Sequence, residues 1–207
     1  MADLSVGAVL CPKTLAEDFV KTISHNKDYL TEIAFASPGT SRFSRAIYFE
    51  HLNSSDLIHL VQKKENISFA AGFCKESLGP IAIGSKTTRK GADQHIKLKS
   101  IISFDLDFKD NFSDYKASMR EELTNSLSLK ITEALTRYKI PLWIMVFSGN
   151  GLHLHFKLSK PYEITSIKQY KNIYDSLRGY LECITGLKFD PSCSNPSRLI
   201  RLPLSTN

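Results

Sequence analysis

The sequence predicts an α/β domain with a mixed or antiparallel sheet. Amphipathic segments with apolar residues about one helical turn apart alternate with short apolar runs typical of strands. The 207 residues suffice for one sizeable core or two intimately packed lobes, and no linker separates independent domains. Apolar residues make up 42% and charged residues 23% of the chain, a composition typical of a folded globular protein.

Residues 1–95 are predicted to form an N-terminal α/β portion. A helix is expected over 14–25, and a second begins at Ser54-Ser55-Asp56, whose side chains suit a helix cap, and runs to about Lys64. Short strands are expected at 32–36, 44–50 and 67–73. The stretch 75–93 is rich in glycine and in basic residues, so we expect a loop with one short strand at 81–83.

From residue 96 to the end, the elements follow the order β-α-β-β-α-β, which is that of an RNA-recognition-like or ferredoxin-like unit. Strands are expected at 96–108, 142–147, 152–158, 187–190 and 198–202. Helices are expected from Ser113, as a cap, to about Lys139, and over 164–183. This unit, about 96–207, is expected to pack on the N-terminal portion within a single domain.

Charge and cysteine usage exclude some classes of protein. The net charge of +6 and pI near 9.1 fit a polyanionic partner, although only weakly. None of the four cysteines forms a CxxC pair, so we expect reduced thiols in a cytoplasmic protein and no zinc site. No apolar run reaches the roughly eighteen residues that a membrane span needs, and the acidic N-terminus does not fit a secretory signal.

The first stretch that suggests chemistry is Ser103-Phe104-Asp105-Leu106-Asp107-Phe108. Because side chains alternate along a strand, Asp105 and Asp107 would share one face while their apolar neighbours bury on the other. Two carboxylates on one face repel unless a cation lies between them, and oxygen ligands suit Mg²⁺ or Mn²⁺. The alternative is a polar edge strand with two solvated aspartates.

The second stretch runs from Phe147 to Phe156 and contains the turn Ser148-Gly149-Asn150-Gly151. Its two glycines permit positive φ and a close backbone approach by a ligand. Ser148 and His153 flank the turn, and both could donate hydrogen bonds to phosphate oxygens. A plain hairpin with two surface histidines is the alternative.

The third stretch is Phe189-Asp190, followed by Arg198, Arg201 and the closing Leu-Pro-Leu-Ser-Thr-Asn. Strand alternation puts the two arginines on opposite faces, so one would point into a site while the other meets solvent. Asp190-Pro191 also fits an ordinary turn start.

Together these stretches resemble the motif set of the archaeo-eukaryotic primase superfamily, above all its plasmid- and phage-borne primase–polymerases. DLD, SGNGLH and FD with the basic tail RLIRLPLSTN follow in the family's order, and the resemblance covers roughly residues 86–207. It implies a primase-type core that joins nucleotides on a nucleic-acid template, with two Mg²⁺ or Mn²⁺ ions as cofactors. It further implies nucleoside triphosphates and a single-stranded DNA template and primer as partners, in a bacterial, archaeal, plasmid or phage context. A helicase or a further C-terminal region commonly follows such cores.

The resemblance also assigns roles to residues. Asp105 and Asp107 would bind the metal ions, and Asp190 would complete the acidic cluster. Ser148 and His153 would contact the triphosphate, with Arg201 as a further phosphate contact and Arg198 as the alternative. Lys86, Arg89 and Lys90 would hold the triphosphate tail or the template backbone. The closing segment departs from the family where a glycine often stands.

Two other functions remain open at this point. His153-Leu154-His155 resembles the His–hydrophobic–His strand of rolling-circle replication and relaxase endonucleases, for which Tyr170 or Tyr174 would be the nucleophile. A non-catalytic nucleic-acid-binding module would instead stack bases on exposed aromatic residues of the sheet. The aromatic residues available for stacking are Phe104, Phe108 and Phe156.

Overall fold

The computed structural model describes residues 29–36, 43–49, 66–75 and 93–201, together with the helical positions Glu17, Thr22 and Ser55. In the three N-terminal segments and in 199–201 only the backbone is described. Apart from those three helical positions, the two helices expected before residue 65 lie outside the described residues. The basic loop, up to residue 92, lies outside them as well.

The described strands form one antiparallel sheet. They are β1 Tyr29–Ala36, β2 Phe43–Phe49, β3 Asn66–Lys75, β4 Ile96–Asp107, β5 Ile144–Phe147, β6 Gly151–Glu163 and β7 Leu199–Arg201. Their order is β2-β1-β3-β4-β6-β5, and β7 pairs with β3 outside this path. The N-terminal strands therefore continue the sheet of the C-terminal half, to which β3 connects them through Phe73 opposite Leu98 and Cys74 opposite Ile96.

Three α-helices accompany the sheet in the described part of the chain. They are α1 Phe108–Asn111, α2 Arg120–Arg137 and α3 Ile167–Thr185. The helix expected from Ser113 was placed too early: Ser113 lies in a turn, and α2 begins only after the short 3-10 helix Ala117–Met119. Ser166 caps α3 by accepting a hydrogen bond from the Gln169 amide, and Gly186 ends it in the left-handed conformation.

The last strand does not complete an RNA-recognition-like sheet. In that order it would lie beside β4, whereas β7 pairs with β3 through Ala70 opposite Leu199 and Ser68 opposite Arg201. The strand expected at 187–190 does not form either, because Pro191 has no amide hydrogen to continue a ladder and the chain turns into the 3-10 helix Pro191–Ser194. The alternation of strands and helices that the sequence predicts is otherwise present, and the α+β fold is confirmed.

The core lies between the helices and one face of β4 and β6. On this face Phe104 is opposite Leu154 and Leu106 is opposite Leu152, and all four side chains are almost completely buried. Helices α2 and α3 contribute Leu123, Leu127, Ile131, Leu135, Tyr170, Tyr174 and Leu181. Because side chains alternate along β4, burying Phe104 and Leu106 directs Ser103, Asp105 and Asp107 to the other face. Among the described residues, no helix has the length and apolar content needed to cross a membrane.

Candidate metal and phosphate site

Two carboxylates lie at the end of β4, on the face away from the helices. Asp105 is opposite His153 and Asp107 is opposite Gly151 in the pairing of β4 with β6. The Asp105 side chain is 20% exposed and that of Asp107 is 32% exposed, so both are accessible while their backbone is fixed within the sheet. The shared face expected from the sequence is therefore present.

Asp190 joins this pair from the far end of the chain. Its backbone amide donates a hydrogen bond to the Asp105 carbonyl oxygen at 2.8 Å. One carboxylate oxygen of Asp105, one of Asp190 and the Cys193 sulfur all lie within 4.8 Å of one another. The Asp107 carboxylate is not part of this tight group.

Asp190 has a structural task as well. Its Oδ1 accepts a hydrogen bond from the Ser192 amide at 2.8 Å, and its Oδ2 accepts one from the Ser192 hydroxyl, so it caps the 3-10 helix that follows. The guanidinium of Arg198 lies 3.3 Å from the same Oδ2. The turn start expected as the simpler explanation of Asp190-Pro191 is therefore real, and it holds the carboxylate where it meets Asp105.

The carboxylates of the cluster are close enough to shift the pKa values of neighbouring groups. Burial and the neighbouring charge of Asp105 raise the pKa of Asp107, with smaller contributions from Asp110 and Asp190, while Lys109 at 3.7 Å opposes them. Burial and the charge of Asp105 also raise the pKa of the Cys193 thiol to about 12. Without a metal ion the thiol is therefore protonated at neutral pH, and it would have to lose that proton to bind one. The remaining oxygen donors fit a hard divalent cation such as Mg²⁺ or Mn²⁺.

Two histidines follow on β6, and they have different environments. His153 Nε2 lies 3.4 Å from Asp105 Oδ1, and its side chain is 9% exposed. His155 is completely buried, and its Nδ1 shares a 2.8 Å hydrogen bond with the Ser103 hydroxyl. Burial, together with the nearby His153, lowers the pKa of His155 to about 3, so this ring is neutral. The alternative of two surface histidines is wrong, because both rings are buried beside Asp105 and Ser103 of β4.

The turn between β5 and β6 is fastened to the end of β4. The Phe108 amide donates to the Asn150 carbonyl at 2.9 Å, and Gly149 has a φ of 100°, which favours glycine. A Cβ on Gly151 would lie 2.0 Å from the Leu106 carbonyl oxygen. The sequence predicted that a ligand would come close to the backbone at these glycines. At Gly151 the group that comes close is instead the backbone of Leu106. Ser148 follows β5 at the mouth of this turn, and it is partly buried.

That the two arginines of the tail face opposite ways stays a prediction, because Arg198 precedes strand β7. Arg198 contacts Asp190, and its side chain remains 43% exposed. Arg201 lies on β7, where its backbone is opposite Ser68, and its side chain is outside the described part of the structure. Lys86, Arg89 and Lys90 lie outside it as well. Of the two arginines, the sequence analysis preferred Arg201 as the phosphate contact, but within the described residues it is Arg198 that lies at the site.

In the part of the chain that the structure describes, most of the groups expected for the two rival functions are buried. Tyr170 and Tyr174 are buried in the core, where Tyr174 donates its hydroxyl to the Ser103 carbonyl oxygen at 3.0 Å. Burial raises the pKa of both phenols above the ordinary value, so neither is poised as a nucleophile. Phe104 and Phe108 are likewise buried and offer no surface for stacking bases, and the third candidate, Phe156, is partly buried against the same core.

Cys193 lies near the predicted site in the sequence, but sequence reasoning assigned it no role in the cluster. A loop cysteine is more often incidental than functional, and no partner at metal-ligand spacing distinguished it. Its position becomes recognisable only once Asp190 is known to approach Asp105, because the 3-10 helix then folds residue 193 back against the sheet.

No protein-family model matches the chain, and no curated protein sequence is significantly similar to it. Its backbone is similar to the primase-polymerase of cyanophage S-2L, in the archaeo-eukaryotic primase domain: the TM-score is 0.49, the identity 14%, and the match covers 91% of this chain and 80% of that one. It is also similar to the polymerase domain of Mycobacterium tuberculosis Ligase D, solved in complex with DNA. There the TM-score is 0.46, the identity 12%, and the match covers 92% of this chain and 75% of that one.

The cyanophage structure is an archaeo-eukaryotic primase domain, and the mycobacterial one is a polymerase domain. At these identities and TM-scores the likeness concerns the path of the backbone and says nothing about activity.

Proposed function

We propose that this protein is a nucleotidyltransferase of the primase–polymerase type, which makes or extends primers on a single-stranded DNA template with Mg²⁺ or Mn²⁺. The observation that carries the proposal is the meeting of Asp105 and Asp190. These residues come from distant parts of the chain, their backbones are hydrogen-bonded to one another, and one carboxylate oxygen of each lies within 4.8 Å of the other. Burial and the charges of both raise the pKa of a third carboxylate, Asp107.

In this proposal the three aspartates hold the divalent metal ions. The pKa of Asp107 is raised first by burial and then by the negative charge of Asp105 and its neighbours, and a cation would neutralise that charge. A bound ion would offset charge on the phosphates and lower the pKa of the attacking primer hydroxyl. The chain's own contribution is to fix the carboxylates in place: Asp105 through the sheet, and Asp190 through its cap on Ser192.

The incoming nucleotide would be held by donors around the acidic cluster. His153 is proposed to donate from Nε2, the ring nitrogen that faces Asp105, and Ser148 from the mouth of the neighbouring turn. Arg198 would neutralise a phosphate next to Asp190, because its guanidinium is already there and is partly exposed. Arg201, Lys86 and Arg89 remain proposed contacts of the triphosphate or the template backbone, where charge matters more than geometry.

The proposal is tested by nucleotide incorporation with Mn²⁺ on single-stranded and on primed DNA. The wild type is compared with an Asp105→Ala, Asp107→Ala variant and with a Tyr170→Phe, Tyr174→Phe variant. Metal-dependent products that disappear only in the aspartate variant would support the polymerase. DNA nicking with protein left covalently on the DNA end, lost in the tyrosine variant, would favour the endonuclease instead. Intact DNA binding with neither activity would favour the binding module.

A further inference from the structure

The short segment that carries Arg198 is fastened to the rest of the molecule. The Pro196 carbonyl accepts a hydrogen bond from the buried ammonium of Lys99 at 3.0 Å. The amide and the hydroxyl of Ser197 both donate to Asp93 Oδ1, at 3.1 and 2.7 Å. The segment is closed by a hydrogen bond from the Arg198 amide to the Asn195 carbonyl at 3.0 Å. Arg198 thus extends from a loop that is held by hydrogen bonds from Lys99 and to Asp93.

Asp93 is the centre of this attachment. It lies just before β4, partly buried, and its second carboxylate oxygen is 3.3 Å from Lys171 Nζ on α3. Burial on its own would raise the pKa of Asp93, but the hydrogen bonds from Ser197 and the contact with Lys171 outweigh it and lower the pKa. The carboxylate is therefore ionised at neutral pH, and it accepts from both Ser197 donors as a charge-assisted pair.

We propose that Asp93 is a positioning residue that holds Arg198 in place against Asp190. Asp93 makes no contact with the acidic cluster and acts through Ser197. The residue next to Ser197 is Arg198, whose guanidinium lies 3.3 Å from Asp190 Oδ2. An arginine side chain is long and loses much rotamer freedom when it is placed, so a fixed backbone at its base reduces that loss. The effect on nucleotide binding rests on the proposed function, whereas the effect on the loop does not.

The loop is tested first, without reference to activity. The Cys193 thiol is buried, and it lies beside Arg198. Its alkylation by iodoacetamide can be followed by mass spectrometry of the peptide that contains it. We expect Asp93→Ala to increase the labelling rate about tenfold, because the released segment opens locally. Asp93→Asn should give a smaller increase, because an amide oxygen still accepts from Ser197.

Two control variants separate positioning from a general loss of stability. Lys171→Ala removes the ion pair of Asp93 but leaves its hydrogen bonds to Ser197, and Asp175→Ala removes a carboxylate of α3 that pairs only locally with Arg178. Both should label at the wild-type rate. Equal labelling in Asp93→Ala and wild type would overturn the proposal, whether or not the protein polymerises nucleotides. Faster labelling in both controls would overturn it as well.

The consequence for the reaction is read from a double-mutant cycle. Asp93→Ala should raise KM for the incoming nucleotide about fivefold with little change in kcat, and it should have no further effect in an Arg198→Ala background. Additive effects of the two substitutions would contradict the idea that Asp93 acts through Arg198. If the wild type incorporates no nucleotide, the proposed function fails, and the labelling experiment alone decides the role of Asp93.

Discussion

The amide of Asp190 donates a 2.8 Å hydrogen bond to the carbonyl of Asp105. The described pairing of β4 with β3 ends at Leu98, and the hydroxyl of Tyr174 donates to the Ser103 carbonyl oxygen two residues before Asp105. Two donors from outside the sheet thus occupy carbonyl groups that a neighbouring strand would otherwise use. This arrangement brings the third aspartate to the first two, and it provides a physical basis for the proposed metal site.

Replacing Asp107 by asparagine should stabilise the metal-free protein. Relief of repulsion between partly exposed carboxylates is worth about 0.5 kcal/mol, or roughly 1–2 °C in melting temperature for a chain of this size. The raised pKa of Asp107 gives the direction, because its ionised form is disfavoured in the folded state. Thermal melts without metal and with excess Mn²⁺ measure it.

With Mn²⁺ the wild type should have the higher melting temperature, because it gains more stability from the ion than the Asp107→Asn variant does. Asp114→Asn is a suitable control, since Asp114 is exposed in a turn. A metal-free Asp107→Asn protein that melts below the wild type would show that the carboxylates do not repel one another in the folded state.

Gly151 should tolerate no side chain. Because a Cβ there would meet the Leu106 carbonyl oxygen at 2.0 Å, Gly151→Ala has to separate β4 from β6. We expect a loss of about 3 kcal/mol in the free energy of unfolding, measured by urea denaturation. Gly179→Ala is the matched control, because nothing lies within 4 Å of its Cβ position on α3. That variant should gain about 0.5–1 kcal/mol, and two similar losses would contradict the pairing of β4 with β6.

His155 should make the protein sensitive to acid. The folded state keeps this ring neutral, with a pKa of about 3, whereas the unfolded chain binds a proton near the ordinary value of 6.5. The contribution of neutral His155 to the free energy of unfolding is therefore fully present above pH 6.5. It is lost as the pH drops towards 3, and the loss is about 2 kcal/mol at pH 5. In a His155→Asn variant, which keeps an acceptor for Ser103, the free energy of unfolding should depend less on pH between 7 and 5. An unchanged slope would mean that the ring is already protonated in the folded protein.

The tyrosines of α3 should matter for stability alone. Tyr174→Phe loses the hydrogen bond to the Ser103 carbonyl and should cost about 1 kcal/mol. Tyr170→Phe should be nearly neutral, and neither variant should change the rate of nucleotide incorporation at a temperature where both are folded. A specific loss of DNA nicking in either variant would favour the endonuclease function.

Much of the structure from residue 96 onward could be predicted from local sequence. Alternation along β4 separates the buried Phe104 and Leu106 from Asp105 and Asp107, and the turn at Ser148 to Gly151 follows from its glycines. Such features depend on neighbours in the chain, and periodicity and turn chemistry report them directly.

The pairing of distant segments could not be predicted in the same way. The sequence gives no sign that β7 pairs with β3 instead of β4, or that β3 extends the sheet. Nor does it show that Asp93 fastens Ser197, since hydrogen bonds across 104 residues leave no periodic pattern. The start of α2 was misplaced because Ser113 suits a helix cap as well as a turn, and only the fold decides between them.

Template-dependent incorporation by an Asp190→Asn variant, beside Asp175→Asn as control, tests the proposed metal site most directly. Asparagine keeps an oxygen that can accept from the Ser192 amide, so the turn is retained while the negative charge next to Asp105 is removed. With Mn²⁺ and nucleoside triphosphates, the wild type should extend a primed template. The Asp190→Asn variant should be about 100-fold slower or worse, while Asp175→Asn retains nearly full activity. Full activity in Asp190→Asn would contradict the assignment of this cluster as the catalytic metal site.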